Sequence, residues 1–126
     1  MLDMARAREA FEASDDFTVG IEEEFQLVDR SSGQLAARVE EVLPGALERL
    51  GRNEVSHELK RTMIETGTPV CSSLVEVRRE LVRLRADLAA AVGRSGLAIV
   101  AAASHPASAV VDDVTAERDY EALAGR

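Results

Sequence analysis

From Phe17 to Val28 the chain alternates in character: Phe17, Val19, Ile21, Phe25 and Leu27 fall on one side of an extended backbone, and Thr18, Gly20, Glu22, Glu24 and Gln26 on the other. Successive side chains of a strand point to opposite faces, so the segment calls for a sheet with one covered face and one polar face. Antiparallel sheets commonly keep one face in water, which suits this pattern. Glu23 falls on the apolar side, and two arrangements are open to it: a bulge at Gly20 that re-aims it, or a position at an edge.

The rest of the chain supplies partners for such a sheet. Residues 1–16 read as an amino-terminal extension with a short or frayed helix over Met1 to Ser14, and 17–126 as one domain. After the turn signal "DRSSGQL", a helix is predicted from Val39 to Leu50, with Pro44 as a first-turn residue or a kink. "EVSHELKRTMIETGTPVC" reads as one long or two short strands ending at the Thr68-Pro69 bend. The clearest element follows. Ser73 and Glu76 form a capping-box pattern, Leu74, Val77, Leu81, Leu84, Leu88 and Ala91 recur at helical spacing, and Gly93 or Gly96 supplies the stop. The opposite side of that helix, with Arg78, Arg79, Arg85 and Asp87, reads as a solvated surface. "LAIVAAAS" from Leu97 is apolar throughout and reads as a strand covered on both faces, delivering Ser104 to Pro106 to a loop. Strands and helices in no strict alternation favour an α+β architecture, a partial antiparallel sheet with helices packed on one face.

Composition narrows the function classes. At 126 residues and 46% hydrophobic content the chain suits a single compact domain. A net charge of −8 argues against a nucleic-acid groove, which needs clustered Lys and Arg, and points towards metal ions, cationic partners or solubility. Cys71 is the only cysteine, so neither an intrachain disulfide nor a Cys/His zinc pattern exists, and a reducing cytoplasm is the expected setting. The amino terminus lacks the apolar core of a signal peptide, and no run of about 18 apolar residues suggests a membrane span. Neither GxxxxGK[ST] nor GxGxxG after a strand is present, so any nucleotide chemistry must rest on sheet carboxylates and metal.

Glu22 and Glu24, two apart on one strand, point the same way with Cα atoms about 6.5–7 Å apart. Carboxylates so placed can hold a hard cation such as Mg²⁺, which takes one or two carboxylates together with water and phosphate oxygens; a merely solvated strand face is the plainer alternative. Glu65, in "MIETGTP", adds a third acid if its strand neighbours the first, and three like charges together call for a counter-cation. Glu58 has the opposite strand parity to Glu65, so only a bulge or break between them would bring it in. His105 stands at the end of a predicted strand, where loops present functional groups, whereas His57 lacks such a context and Cys71 reads as a small core residue.

Four segments in order, "FTVGIEEEFQLVD", "ELKRTMIETGTPVCSSLVEVRRELVRLR", "GLAIVAAASHPAS" and "TAERDYEAL", resemble the amino-terminal part of bacterial carboxylate-amine ligases of the glutamate-cysteine ligase type. The resemblance runs from about Phe17 to Leu123 and covers roughly the first third of such proteins. It implies a glutamine-synthetase-like fold whose acid-lined sheet face binds ATP and a divalent metal, Mg²⁺ by preference. The implied substrates are glutamate and cysteine, or another amine, joined through an acyl phosphate. It further implies metal-binding roles for Glu22, Glu24 and Glu65, and substrate or nucleotide contacts for His105 and Arg118; Asp119 departs from the family's Arg-Tyr pair by separating Arg118 from Tyr120. Glu23 is left a structural part. The alternative is a non-catalytic remnant that binds divalent metal or forms a homodimer through an exposed sheet edge.

Overall fold

The computed structural model describes residues 3–14 and 17–106. Its elements, in chain order, are α1 (Met4–Glu12), β1 (Glu22–Asp29), α2 (Val39–Leu50), β2 (Val55–His57), β3 (Met63–Gly67), α3 (Leu74–Gly93) and β4 (Leu97–Val100). The strands form one antiparallel sheet in the order β2-β3-β1-β4, with β1 at its centre. The architecture is α+β, the class that the sequence pattern favours.

α2 and α3 pack against each other and against one side of the sheet. Phe25 and Leu27 of β1, Ile64 of β3, Val55 of β2 and Leu97 of β4 meet Val39, Val42 and Ala46 of α2 and Leu84, Leu88 and Val92 of α3 in a single core. The periodic residues of α3 do most of this, although Leu74 remains 81% exposed because it precedes the point where the helix reaches the sheet. Ser73 caps α3 by accepting the Glu76 amide at 3.2 Å, and the Glu76 carboxylate in turn accepts from the backbone and hydroxyl of Ser72 at 2.7 and 2.8 Å. The capping box is therefore shifted one residue outward on its acidic arm. At the far end, Gly96 takes a φ of +73°, a left-handed turn that leads the chain into β4. Pro44 lies inside α2, which continues past it to Leu50; with no N–H, Pro44 leaves the Glu40 carbonyl without its usual helical donor.

Two expectations are corrected, the start of the first strand and the covering of β4. The first strand begins at Glu22, not Phe17. Upstream, Val19 makes an isolated bridge to Cys71, with Phe17 at φ +62° and 99% exposed. The partner strand stops at Gly67 because Pro69 cannot donate to a ladder, and Thr68 takes over, accepting the Ile21 amide on its hydroxyl at 3.0 Å. The "EVSH…TGTP" stretch is two short strands, β2 and β3, joined by residues 58–62. β4 is an edge strand rather than one covered on both faces, and Val100 is 38% exposed because helices cover only one side of the sheet. α1 is capped by Asp3, whose carboxylate accepts the Ala5 and Arg6 amides, and none of its residues is buried. Among the described residues, no helix is long and apolar enough to cross a membrane.

Leu88, fully buried in the core, and Val75, 78% exposed on the same helix, give a direct test of this layering. Leu88→Ala is expected to lower the unfolding free energy by about 2–5 kcal/mol in urea titrations, and Val75→Ala by less than about 0.5 kcal/mol. Equal effects would contradict the packing described.

Candidate functional site: an acid-lined sheet face

Because the helices take one face of the sheet, the even-numbered residues of β1 are left on the other. Glu22 lies opposite Gly67, and Glu24 lies directly opposite Glu65 on β3. Directly opposed residues of an antiparallel pair project to the same side and sit close together, so Glu24 and Glu65 form a like-charge pair that weakens the sheet unless something neutralises it. Glu58 joins them. It lies just beyond the last residue of β2, so strand parity no longer governs where it points, and its carboxylate accepts the Leu59 amide. One carboxylate oxygen from each of Glu24, Glu58 and Glu65 can be chosen so that all three lie within 4.8 Å of one another.

The electrostatic consequence appears at Glu65. Burial pushes its carboxyl above the usual range, and the neighbouring Glu22, Glu58 and Glu24 push it further; a hydrogen bond with the Ser56 side chain works in the opposite direction. Oxygen-only donors of this kind suit a hard cation such as Mg²⁺ or Mn²⁺, whose opposite ligands in an octahedron stand about 4.2 Å apart. Three carboxylate oxygens within 4.8 Å of one another can supply part of such a shell once they draw closer together.

Beside the acids, an open cleft of about 360 Å³ is lined by Glu22, Glu24, Met63 and Ala101 to Ala103. The segment after β4 forms its far wall and is tied to β1 by Gln26, whose Nε2 donates to the Ala103 carbonyl at 3.4 Å. Gln26 is 6% exposed, and its Oε1 has no hydrogen-bond partner among the described residues. The cleft thus pairs a charged side with an apolar one.

Of the residues singled out in the sequence, Glu22, Glu24 and Glu65 share the bare face. His105 does not join them: its Nε2 donates to the Gly33 carbonyl at 2.8 Å, beside the turn that follows β1. Arg118 lies outside the described residues. Glu23 points to the helix side, where the Arg85 guanidinium grips its carboxylate with two hydrogen bonds, one of them 2.9 Å long. The arginine side of α3 is accordingly more than a solvated surface, since Arg83 also spans to Glu54 at 2.6 Å. Strand parity made Glu58's place here depend on a bulge or break, and the end of β2 at His57 supplies the break; the polar run "ELKRT" is its signal in the sequence.

The raised carboxyl of Glu65 fixes the sign of a pH effect. The folded chain holds that proton more tightly than the unfolded one, so this contribution is most favourable below the unfolded carboxyl pKa of about 4.3 and is lost as the pH rises through the folded value. Glu65→Gln is expected to melt a few degrees higher than the parent at pH 7 in the absence of divalent metal, with the gap closing near about pH 4. A variant less stable than the parent at pH 7 would contradict the crowding.

Residues 18–125 match the family model described as glutamate-cysteine ligase family 2. A Sorangium cellulosum protein named "Putative glutamate--cysteine ligase 2" is 44% identical over 93 residues, 73% of this chain and 25% of that protein. A Chloroflexus aggregans protein of the same name is 36% identical over 111 residues, 86% of this chain and 28% of its own length. "Putative glutamate--cysteine ligase 2-3" of Rubrobacter xylanophilus is 40% identical over 98 residues, covering 78% and 27%. The chain thus spans between 25% and 28% of the length of these curated relatives. With a match reaching across nearly all of its residues, the chain belongs to glutamate-cysteine ligase family 2.

Proposed function

We propose that this chain supplies the acid-lined part of an ATP-dependent carboxylate-amine ligase site. The observation that carries the reading is the convergence of Glu24, Glu58 and Glu65 on the bare face of an antiparallel sheet, in a chain of glutamate-cysteine ligase family 2. In this reading the sheet is the first part of a glutamine-synthetase-like catalytic fold, and the complete protein works in the cytoplasm without nucleic acid or membrane.

The reaction proposed is amide formation between the side-chain carboxylate of glutamate and the amine of cysteine, or of another amine. ATP transfers a phosphoryl group to the carboxylate, and the amine then displaces phosphate from the acyl phosphate. A bound Mg²⁺ would neutralise phosphate charge. Glu24, Glu58 and Glu65 would hold the metal, with Glu22 beside them at the cleft. The protein residues orient and bind; none is required as a covalent nucleophile. Met63 and Ala101 to Ala103 offer an apolar wall on which the uncharged part of a ligand can lie. His105, anchored at Gly33, and Arg118 are assigned substrate or nucleotide contacts in the complete protein. The second reading is a non-catalytic segment that binds divalent metal alone or self-associates through β2 or β4, the two edges of the sheet. It draws on the same carboxylates, and nucleotide binding separates the two.

Titration of ATP into the 126-residue chain, followed by calorimetry, is expected to give heat only with Mg²⁺ present and none after Glu24→Gln. Binding that ignores the metal or the substitution would overturn the site, and metal binding without nucleotide would favour the second reading. In a family-length protein containing this segment, Glu24→Gln, Glu58→Gln and Glu65→Gln are each expected to lower kcat by about 100-fold or more, because a misplaced metal forfeits several kcal/mol of charge stabilisation.

A further inference from the structure

Three consecutive glutamates on a strand must divide between its faces, and Glu23 takes the helix side while Glu22 and Glu24 take the bare side. A carboxylate facing the core layer needs a counter-charge. Arg85 supplies it from α3 through a two-pronged contact, Nε to Oε2 at 2.9 Å and Nη2 to Oε1. The Glu23 side chain is only 18% exposed in this pair, against 52% for Arg85. The arginine stands on a fixed base, since Leu84 and Leu88 on either side of it are fully buried. Across the ladder from Glu23 is Thr66, 1% exposed, whose hydroxyl has no hydrogen-bond partner among the described residues and so adds no competing anchor.

We propose that Arg85 is a positioning residue for the acid-lined face: by gripping Glu23 it fixes the piece of β1 on which Glu22 and Glu24 stand. The link to metal affinity rests on the function proposed above. A guanidinium fork sets orientation as well as charge, which an ammonium cannot do. Charge and position also have opposite signs here. Removing a cation near a cluster of acids, by Coulomb's law alone, strengthens binding of a divalent metal. Releasing the strand weakens it.

The test uses the 126-residue chain with Mn²⁺ alone as the probe, in the parent, Arg85→Gln, Arg85→Lys and Glu23→Gln, each checked for folding by circular dichroism. The expected result is a Kd for Mn²⁺ raised about 10-fold in Arg85→Gln, as for other residues that orient metal ligands, with partial recovery in Arg85→Lys. Amide hydrogen exchange gives a reading that needs no metal. In Arg85→Gln and Glu23→Gln the amides of Glu22 to Glu24 are expected to exchange faster while those of Leu27 to Asp29 are unchanged. Unchanged or tighter Mn²⁺ binding in Arg85→Gln overturns the proposal, as does exchange that stays the same or rises equally along β1. Should the parent chain fail to take up Mn²⁺, the functional reading falls and the exchange pattern alone decides whether Arg85 positions the strand.

Discussion

The packing of α2 and α3 against a single face of the sheet decides what the rest of the molecule can do. Burying Phe25, Leu27, Ile64 and Leu97 on that side is the favourable term, and the strand's two-residue period then turns every second residue of β1 to the opposite face. Glu22 and Glu24 occupy two of those outward places, while Glu65 arrives beside Glu24 through the register of β3. The acid-lined face is thus a direct consequence of where the apolar residues go. Crowding of carboxylates follows from the same geometry and adds to burial in displacing the Glu65 carboxyl upward.

A fold that gathers like charges is less stable than one that disperses them, so the arrangement asks for a compensating cation. Elsewhere in the chain the compensation is built in: Arg83 bridges Glu54 and Glu80, Arg61 meets Glu40, and Arg85 meets Glu23. On the bare face, by contrast, Glu24 lies directly across the ladder from Glu65, like charge against like. That contrast within one molecule is the physical ground for reading the face as a place for a hard metal ion and the phosphate oxygens that accompany it.

Much of this was legible in the sequence where the signal is local. The capped, periodic run from Ser73 to Gly93 and the helix from Val39 to Leu50 declare themselves through spacing and end residues. The shared face of Glu22 and Glu24 follows from the alternation of a single strand. What needed the structure was whatever depends on partners. Glu58 reaches the acids because the chain leaves the ladder after His57, a break that parity arguments cannot anticipate. β4 looked like a strand covered on both faces because its residues are all apolar, yet its place at the edge comes from sheet order. His105 turned out to be fixed by a backbone carbonyl 72 residues away, and Glu23 by an arginine 62 residues on; neither pairing leaves a trace in local pattern.

The central proposal is that the bare sheet face around Glu24, Glu58 and Glu65 receives a divalent cation. Paramagnetic broadening of the amide and methyl resonances by substoichiometric Mn²⁺ tests it most directly, since the effect falls steeply with distance from the ion. The account predicts loss of signal first at Glu24, Glu58, Met63 and Glu65, with the helix-side Leu88 and the amino-terminal helix α1 spared, and with Mg²⁺ in excess restoring the spectrum. Broadening centred on other acidic surface, or spread evenly over the chain, would contradict it.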